Sequence, residues 1–155
     1  MIKNTGKALE NLIYRQALIY RSQGLLTLEK VDPPTRTINS KAGKITTLLS
    51  NPFPDFIGCL NSGRMLCIEA KSNHKKSLPF GKSGLRYKQI DDLYMWSNAG
   101  AIVGIIWQSI NGYYWVTLDN IRQSDKMGRR SIPESIAEKI DTSEGKILNF
   151  YKFIK

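Results

Sequence analysis

Ala101-Ile-Val-Gly-Ile-Ile-Trp107 is an unbroken apolar run, the mark of a central strand buried on both faces. A strand of that kind needs neighbours beside it and layers above and below it, so the flanking segments decide the architecture. Between Thr5 and Gln23, Leu9, Leu12, Ile13, Ala17 and Tyr20 recur at three- and four-residue spacing. This predicts an amphipathic helix with its N-cap at Asn4 or Thr5 and its end at Gly24. Leu25 to Val31 predicts a short strand, broken by Asp32-Pro33-Pro34-Thr35. Phe53 to Leu60 and Arg64 to Lys71 predict two strands joined through Asn61-Ser62-Gly63, a hairpin signal. Leu85 to Ser97 has helical spacing, and Ile110-Asn111-Gly112-Tyr113 turns the chain into a strand from Tyr113 to Leu118. Asp119 reads as the cap of a short helix, and Ile147 to Ile154 as a terminal helix or strand that packs down. The order helix, strand, hairpin, helix, strand, strand, helix predicts an α/β or α+β domain, one mixed central sheet flanked by helices. At 155 residues a single domain accounts for the chain.

Two segments stand apart from this pattern. Ser72 to Ser83 reads as a basic loop. Val31 to Asn51 has two prolines, several threonines and little periodicity, and reads as an exposed excursion that adds nothing to the core.

Charge singles out the same part of the chain. Lys and Arg number 23 against 13 Asp and Glu, a net +10. Between Lys30 and Lys88 there are eleven basic residues against three acids, Asp32, Asp55 and Glu69, which is eight of the ten net charges. An excess localised in this way points to a polyanion as partner. A membrane is excluded as a spanned medium, since the apolar runs fall far short of the ~20 residues a crossing helix needs. MIKNTGKALE carries no signal-type apolar region, so a cytosolic protein is expected. Two cysteines and one histidine, His74, make neither a zinc site nor a disulfide framework. Cys59 and Cys67 are read as buried reduced thiols, and no small-molecule cofactor is expected.

The chemistry lies on the predicted hairpin. Glu69 and Lys71 are two apart on a strand and therefore project from one side, with Ala70 pointing away. Folding the hairpin about Ser62-Gly63 brings Asp55 opposite Glu69 or Ala70. Two facing carboxylates repel each other, and a divalent cation between them would relieve that repulsion. Oxygen ligands suit Mg²⁺. A neighbouring lysine could hold or deprotonate a water for attack on a phosphodiester. The same triplet can also be a solvated strand face, and an Asp after Pro a turn residue. Context favours catalysis, because both acids lie inside the basic region and at the ends of apolar runs.

Pro54-Asp55, thirteen intervening residues, then Glu69-Ala70-Lys71 resembles the PD-(D/E)xK nuclease motif. The wider chain resembles the RecU-type Holliday junction resolvases of that superfamily. Gly6-Lys7-Ala8-Leu9-Glu10-Asn11-Leu12-Ile13 is similar to the family's opening helix. Lys30 with Pro33-Pro34-Thr35 is similar to the start of its stalk, and Gly128-Arg129-Arg130-Ser131-Ile132-Pro133 to a late signature. The chain departs from the family at Asn51-Pro52-Phe53-Pro54, where a Ser/Thr-rich run is usual, and at Cys67, where an acid is usual. It departs again at Arg86-Tyr87-Lys88-Gln89, which keeps the glutamine of the family's pattern without its histidines.

The resemblance implies a restriction-endonuclease-like fold over residues 1–155 with residues 31–51 as a protruding stalk insertion. It implies a homodimer that binds four-way DNA junctions and nicks two strands symmetrically with Mg²⁺ or Mn²⁺. Asp55, Glu69 and Ala70 become the metal positions, and Asp55, Glu69, Lys71, Glu10 and Gln89 the catalytic set. On residue type alone Glu10 could equally be a surface acid or a partner for Lys7, and Gln89 a solvated helix residue. Lys30, Arg36, Lys41 and Lys44 in or beside the excursion, with Lys75, Lys76, Arg86 and Tyr87, are the expected DNA contacts, the cations to phosphates and Tyr87 by stacking. His74 is expected as a loop contact to DNA. Trp96, Trp107 and Trp115 are expected in the core. Two other readings remain open at this stage: a PD-(D/E)xK restriction or repair enzyme acting on other DNA, and a non-catalytic basic DNA-binding protein.

Overall fold

The structure, a computed structural model, describes residues 5–49, 51–142 and 147–155. It opens with α1 (Thr5–Ser22), whose periodic Leu9, Ile13, Ala17 and Tyr20 are all buried. The cap expected at Asn4 or Thr5 lies outside the described residues and side chains. Strands β1 (Leu26–Lys30), β2 (Thr35–Ser40), β3 (Gly43–Leu48), β4 (Phe56–Leu60), β5 (Met65–Ser72) and β6 (Ser77–Pro79) follow. The second half holds α2 (Tyr87–Asn98), β7 (Ile102–Ser109), β8 (Gly112–Val116), α3 (Leu118–Lys126), β9 (Ser131–Pro133) and β10 (Glu138–Lys139).

Six strands form the main sheet in the order β1-β4-β5-β7-β8-β10. Only β5 and β7 run parallel. A parallel neighbour needs a crossover, and α2 provides it. Alternation along β7 explains its unbroken apolar sequence, because each face meets a different layer. Ile106 belongs to a core built with α1, Phe56, Leu66, Ile68, Trp115 and the C-terminal Leu148, Phe150 and Ile154. Ile105 and Trp107 belong to the opposite core, with Leu78, Leu85, Ile90, Leu93, Ile121 and Ile132. Gly104 lies where Trp115 crosses β7, and a Cβ there would stand 2.0 Å from the indole ring.

Several expectations are corrected. The excursion is not irregular: β2 and β3 pair in register as a separate antiparallel hairpin, and every residue of both strands is exposed. Nothing apolar faces a core there, so the segment lacks the pattern that betrays a strand. Part of the basic loop is strand β6, which pairs with β9. Thr117, not Asp119, caps α3: its Oγ1 accepts the Asn120 N–H at 3.2 Å, while Asp119 inside the first turn pairs with Arg122. An N-cap must be extended, as Thr117 is, for its hydroxyl to reach back to the free N–H groups. Cys67 is buried but Cys59 is exposed. Trp107 and Trp115 are core residues, whereas Trp96 is half-buried with its ring against Phe53 at 5.7 Å. The C-terminal segment does pack down, through a 3₁₀ turn at Tyr151–Phe153. Among the described residues no helix is long and apolar enough to cross a membrane.

Candidate active site

The register of β4 on β5 pairs Phe56 with Ile68, so one step further Asp55 lies opposite Glu69. Asp55 is held there by main-chain bonds. Its carbonyl accepts the Val31 N–H at 2.8 Å, and its Oδ2 accepts the Ala70 N–H at 2.8 Å. Where β4 has ended, the Asp55 side chain thus takes the place of the next ladder bond. In an antiparallel pair a residue's N–H and C=O point to the same edge. The Ala70 carbonyl therefore opens toward Asp55, which gives an alanine a way to serve as a metal ligand.

Glu69 is only 2 % exposed. Its strand neighbours across the sheet are Ile105 and, two residues on, Trp107 opposite Lys71, so both functional side chains stand on the sheet face that α2 covers. Lys71 Nζ lies 2.9 Å from Glu69 Oε1. From α2, the Gln89 amide donates to the same oxygen. The Gln89 Oε1 in turn accepts the Arg86 N–H at 3.2 Å, which fixes the amide and leaves its N–H group for Glu69.

Burial pushes the Glu69 carboxyl up to about 7, Lys71 opposes the shift, and the Asp55 charge adds to it. Asp55 is raised as well, first by burial, against the pull of the Ala70 N–H and Lys71. Glu10 contributes to that rise, which puts α1 within electrostatic reach of the pair. Two neighbouring carboxyls whose proton affinities are both raised by burial are short of positive charge. With the Ala70 carbonyl they form an all-oxygen donor set of the kind that Mg²⁺ and Mn²⁺ accept. The residues fit such an ion as two acids and one carbonyl; among the described residues no three His, Cys, Asp or Glu cluster.

Glu10 is engaged by Lys30 at 2.7 Å, not by Lys7. Lys30, an expected phosphate contact, has its ammonium on Glu10, which raises its pKa, with Asp32 at 3.9 Å. A cleft of about 340 Å³ runs over the acids, lined by Asp55, Glu69, Arg86, Lys88 and Gln89 and by Val31, Leu48 and Leu49 at the base of the β2–β3 hairpin. Arg86 is on this wall, and Tyr87 beside it at the start of α2 is 64 % exposed. His74, Lys75 and Lys76 are exposed on the loop beyond β5. Arg36, Lys41 and Lys44 are exposed on the β2–β3 hairpin, away from the acids.

Lys82 and Ser83 escaped the sequence reading. They line a smaller hollow with Lys71 and Arg86. Their signal was a cation and a hydroxyl bracketed by Gly81 and Gly84 inside a segment read only as a basic loop.

The mixed sheet, with an acid pair and a lysine on one hairpin, defines the class that the motif resembles, the PD-(D/E)xK nucleases. The chain matches the model of Recombination protein U (RecU) over residues 4–155, and it belongs to the RecU family. No curated protein matches it significantly. Among solved structures it is similar to Hjc of Archaeoglobus fulgidus, a Holliday junction resolvase from an archaeal hyperthermophile. The likeness covers 86% of this chain and 95% of that one, with a TM-score of 0.54 and 15% identity. At that identity the likeness is one of fold.

Proposed function

We propose that this chain is a metal-dependent endonuclease that resolves four-way DNA junctions as a homodimer, nicking two strands symmetrically. The observation that carries the reading is the set of Asp55, Glu69 and Lys71 gathered on one hairpin, with both acids lining a cleft that Arg86 and Lys88 also line. Asp55, Glu69 and the Ala70 carbonyl would hold Mg²⁺ or Mn²⁺, which when bound neutralises charge on the phosphate under attack and makes a water more acidic. Lys71 stands at the same site with its ammonium on Glu69. From there it can orient a water or meet the negative charge that grows on the phosphate. Gln89 holds Glu69 in the orientation that Lys71 also uses, and the Ala70 N–H does the same for Asp55. Glu10 supports the acid pair from α1, and Lys30 keeps Glu10 in place.

Affinity comes from other residues. Along β2, Arg36 shares a side with Ile38, and in the paired register Lys44 lies opposite Asn39, so Arg36 and Lys44 project from opposite faces of the hairpin. An element with a cation on each face suits insertion between two DNA arms better than contact with one duplex. This favours the stalk reading of residues 31–51. A junction presents two equivalent strands while one chain carries one acid pair, which supports a two-fold dimer. The test compares a synthetic four-way junction with a linear duplex of the same sequence, in Mg²⁺. Paired nicks confined to the junction support the proposal. Equal cutting of both substrates would assign the site to ordinary duplex.

A further inference from the structure

Next to the acid pair is a second hollow, of about 160 Å³, on the other side of Arg86. Arg86 lines both it and the cleft over Asp55 and Glu69. Lys71 and Lys82 also line it, and no acid does. Among the described residues Lys82 and Arg86 have no carboxylate within ion-pair distance. Lys71 has Glu69 as its counter-charge, which leaves Lys82 and Arg86 as the two unpaired cations of the hollow, and Lys82 sits on a tightly built loop. The Leu85 N–H donates to the Pro79 carbonyl at 2.8 Å, the Gly81 N–H to the Leu85 carbonyl at 2.9 Å, and the Phe80 N–H to the Arg130 carbonyl at 3.0 Å. Gly84 lies so close to Pro79 that a Cβ would stand 2.1 Å from its carbonyl oxygen. Lys82 and Ser83 are therefore presented by a rigid turn, which lowers the entropy cost of holding a ligand there.

We propose that this hollow seats a backbone phosphate of the strand being cut, beside the scissile phosphate, and so registers that strand on Asp55 and Glu69. The proposal rests on the nuclease reading above. A continuous strand whose scissile phosphate lies over the acids must carry its next phosphate to one side, and past Arg86 the hollow offers Lys82 and the Ser83 hydroxyl. Lys82 is then a positioning residue: it fixes the strand, and the chemistry stays with the acid pair.

The test is a methylphosphonate scan of the cut strand, one neutral phosphate at a time around the nick, with full-length wild type, Lys82→Gln and Lys82→Arg. At one position beside the nick, neutralisation should lower kcat/KM for wild type and Lys82→Arg about tenfold, the scale of one charged hydrogen bond. Lys82→Gln should already be slowed by a similar factor and lose nothing further there, the non-additivity expected of two halves of one contact. Its salt dependence of junction binding should flatten by about one counterion. Equal losses in wild type and Lys82→Gln at every position would overturn the proposal while leaving the nuclease reading intact. A wild type that cuts no junction would instead overturn the nuclease reading. Saturable binding of inorganic phosphate to the hollow, with no methylphosphonate effect, would assign it to a free anion and overturn the DNA assignment.

Discussion

Replacing Glu69 by Gln separates the electrostatic cost of the acid pair from its geometry, since the two side chains have the same shape. Moving a carboxyl from its ordinary 4.5 to about 7 corresponds to roughly 3 kcal/mol. The group is almost wholly buried, so solvent screens little of this. The folded chain holds the proton more tightly than the unfolded chain does. The contribution is therefore complete below pH 4.5 and is lost as pH rises through 7. Glutamine cannot ionise and keeps an acceptor for Gln89, so the variant lacks this pH dependence. The Tm of Glu69→Gln minus that of wild type should widen between pH 5 and pH 8 by up to about 6–12 °C, at ~2–4 °C per kcal/mol for a chain of this size. The assay is thermal unfolding by circular dichroism in EDTA. Adding Mg²⁺ at pH 8 should raise the wild-type Tm and leave the variant nearly unmoved, because only the folded acid pair binds the ion. A Tm difference that stays flat from pH 5 to pH 8 would refute the reasoning.

Neutralising Arg36, Lys41 and Lys44 together should weaken junction binding far more than duplex binding, with the salt slope falling by about one per cation lost; titrations across a salt series decide it. Sedimentation equilibrium at micromolar concentration should give a dimer, and a fully active monomer would contradict the two-site arrangement. Gly104→Ala should cost about 3 kcal/mol, since the new methyl meets the buried Trp115 ring; urea unfolding measures it, with junction cutting retained below the melting range.

What was legible in the sequence was whatever repeats in one dimension. Asn61-Ser62-Gly63 set the turn, alternation set Glu69 and Lys71 on one side, and both together brought Asp55 to the place where its carboxylate meets the Ala70 N–H. The apolar run at Ala101 to Trp107 became β7 at the heart of the sheet, as a strand covered on both faces requires. The β2–β3 hairpin was illegible because neither face is buried, so its strands leave no apolar signature. Strands β9 and β10 are too short to show a period, yet β9 closes onto β6 and helps brace the turn that carries Lys82. Lys30 is a different case. Its position near the excursion suggests DNA, and its ion pair with Glu10 becomes visible only once α1 packs on β1.

The central claim is that Asp55, Glu69 and Lys71 form a metal-dependent cutting site, and the most direct measurement follows an end-labelled four-way junction through a single turnover. Wild type in Mg²⁺ should nick two opposed strands, stop when EDTA is added, and resume when Mg²⁺ is restored. Asp55→Asn should bind the junction at least as tightly as wild type, because the acids serve the chemical step while the cations supply affinity, and it should cut no faster than the protein-free control. Nicking by Asp55→Asn at the wild-type rate would place the chemistry elsewhere and contradict the account.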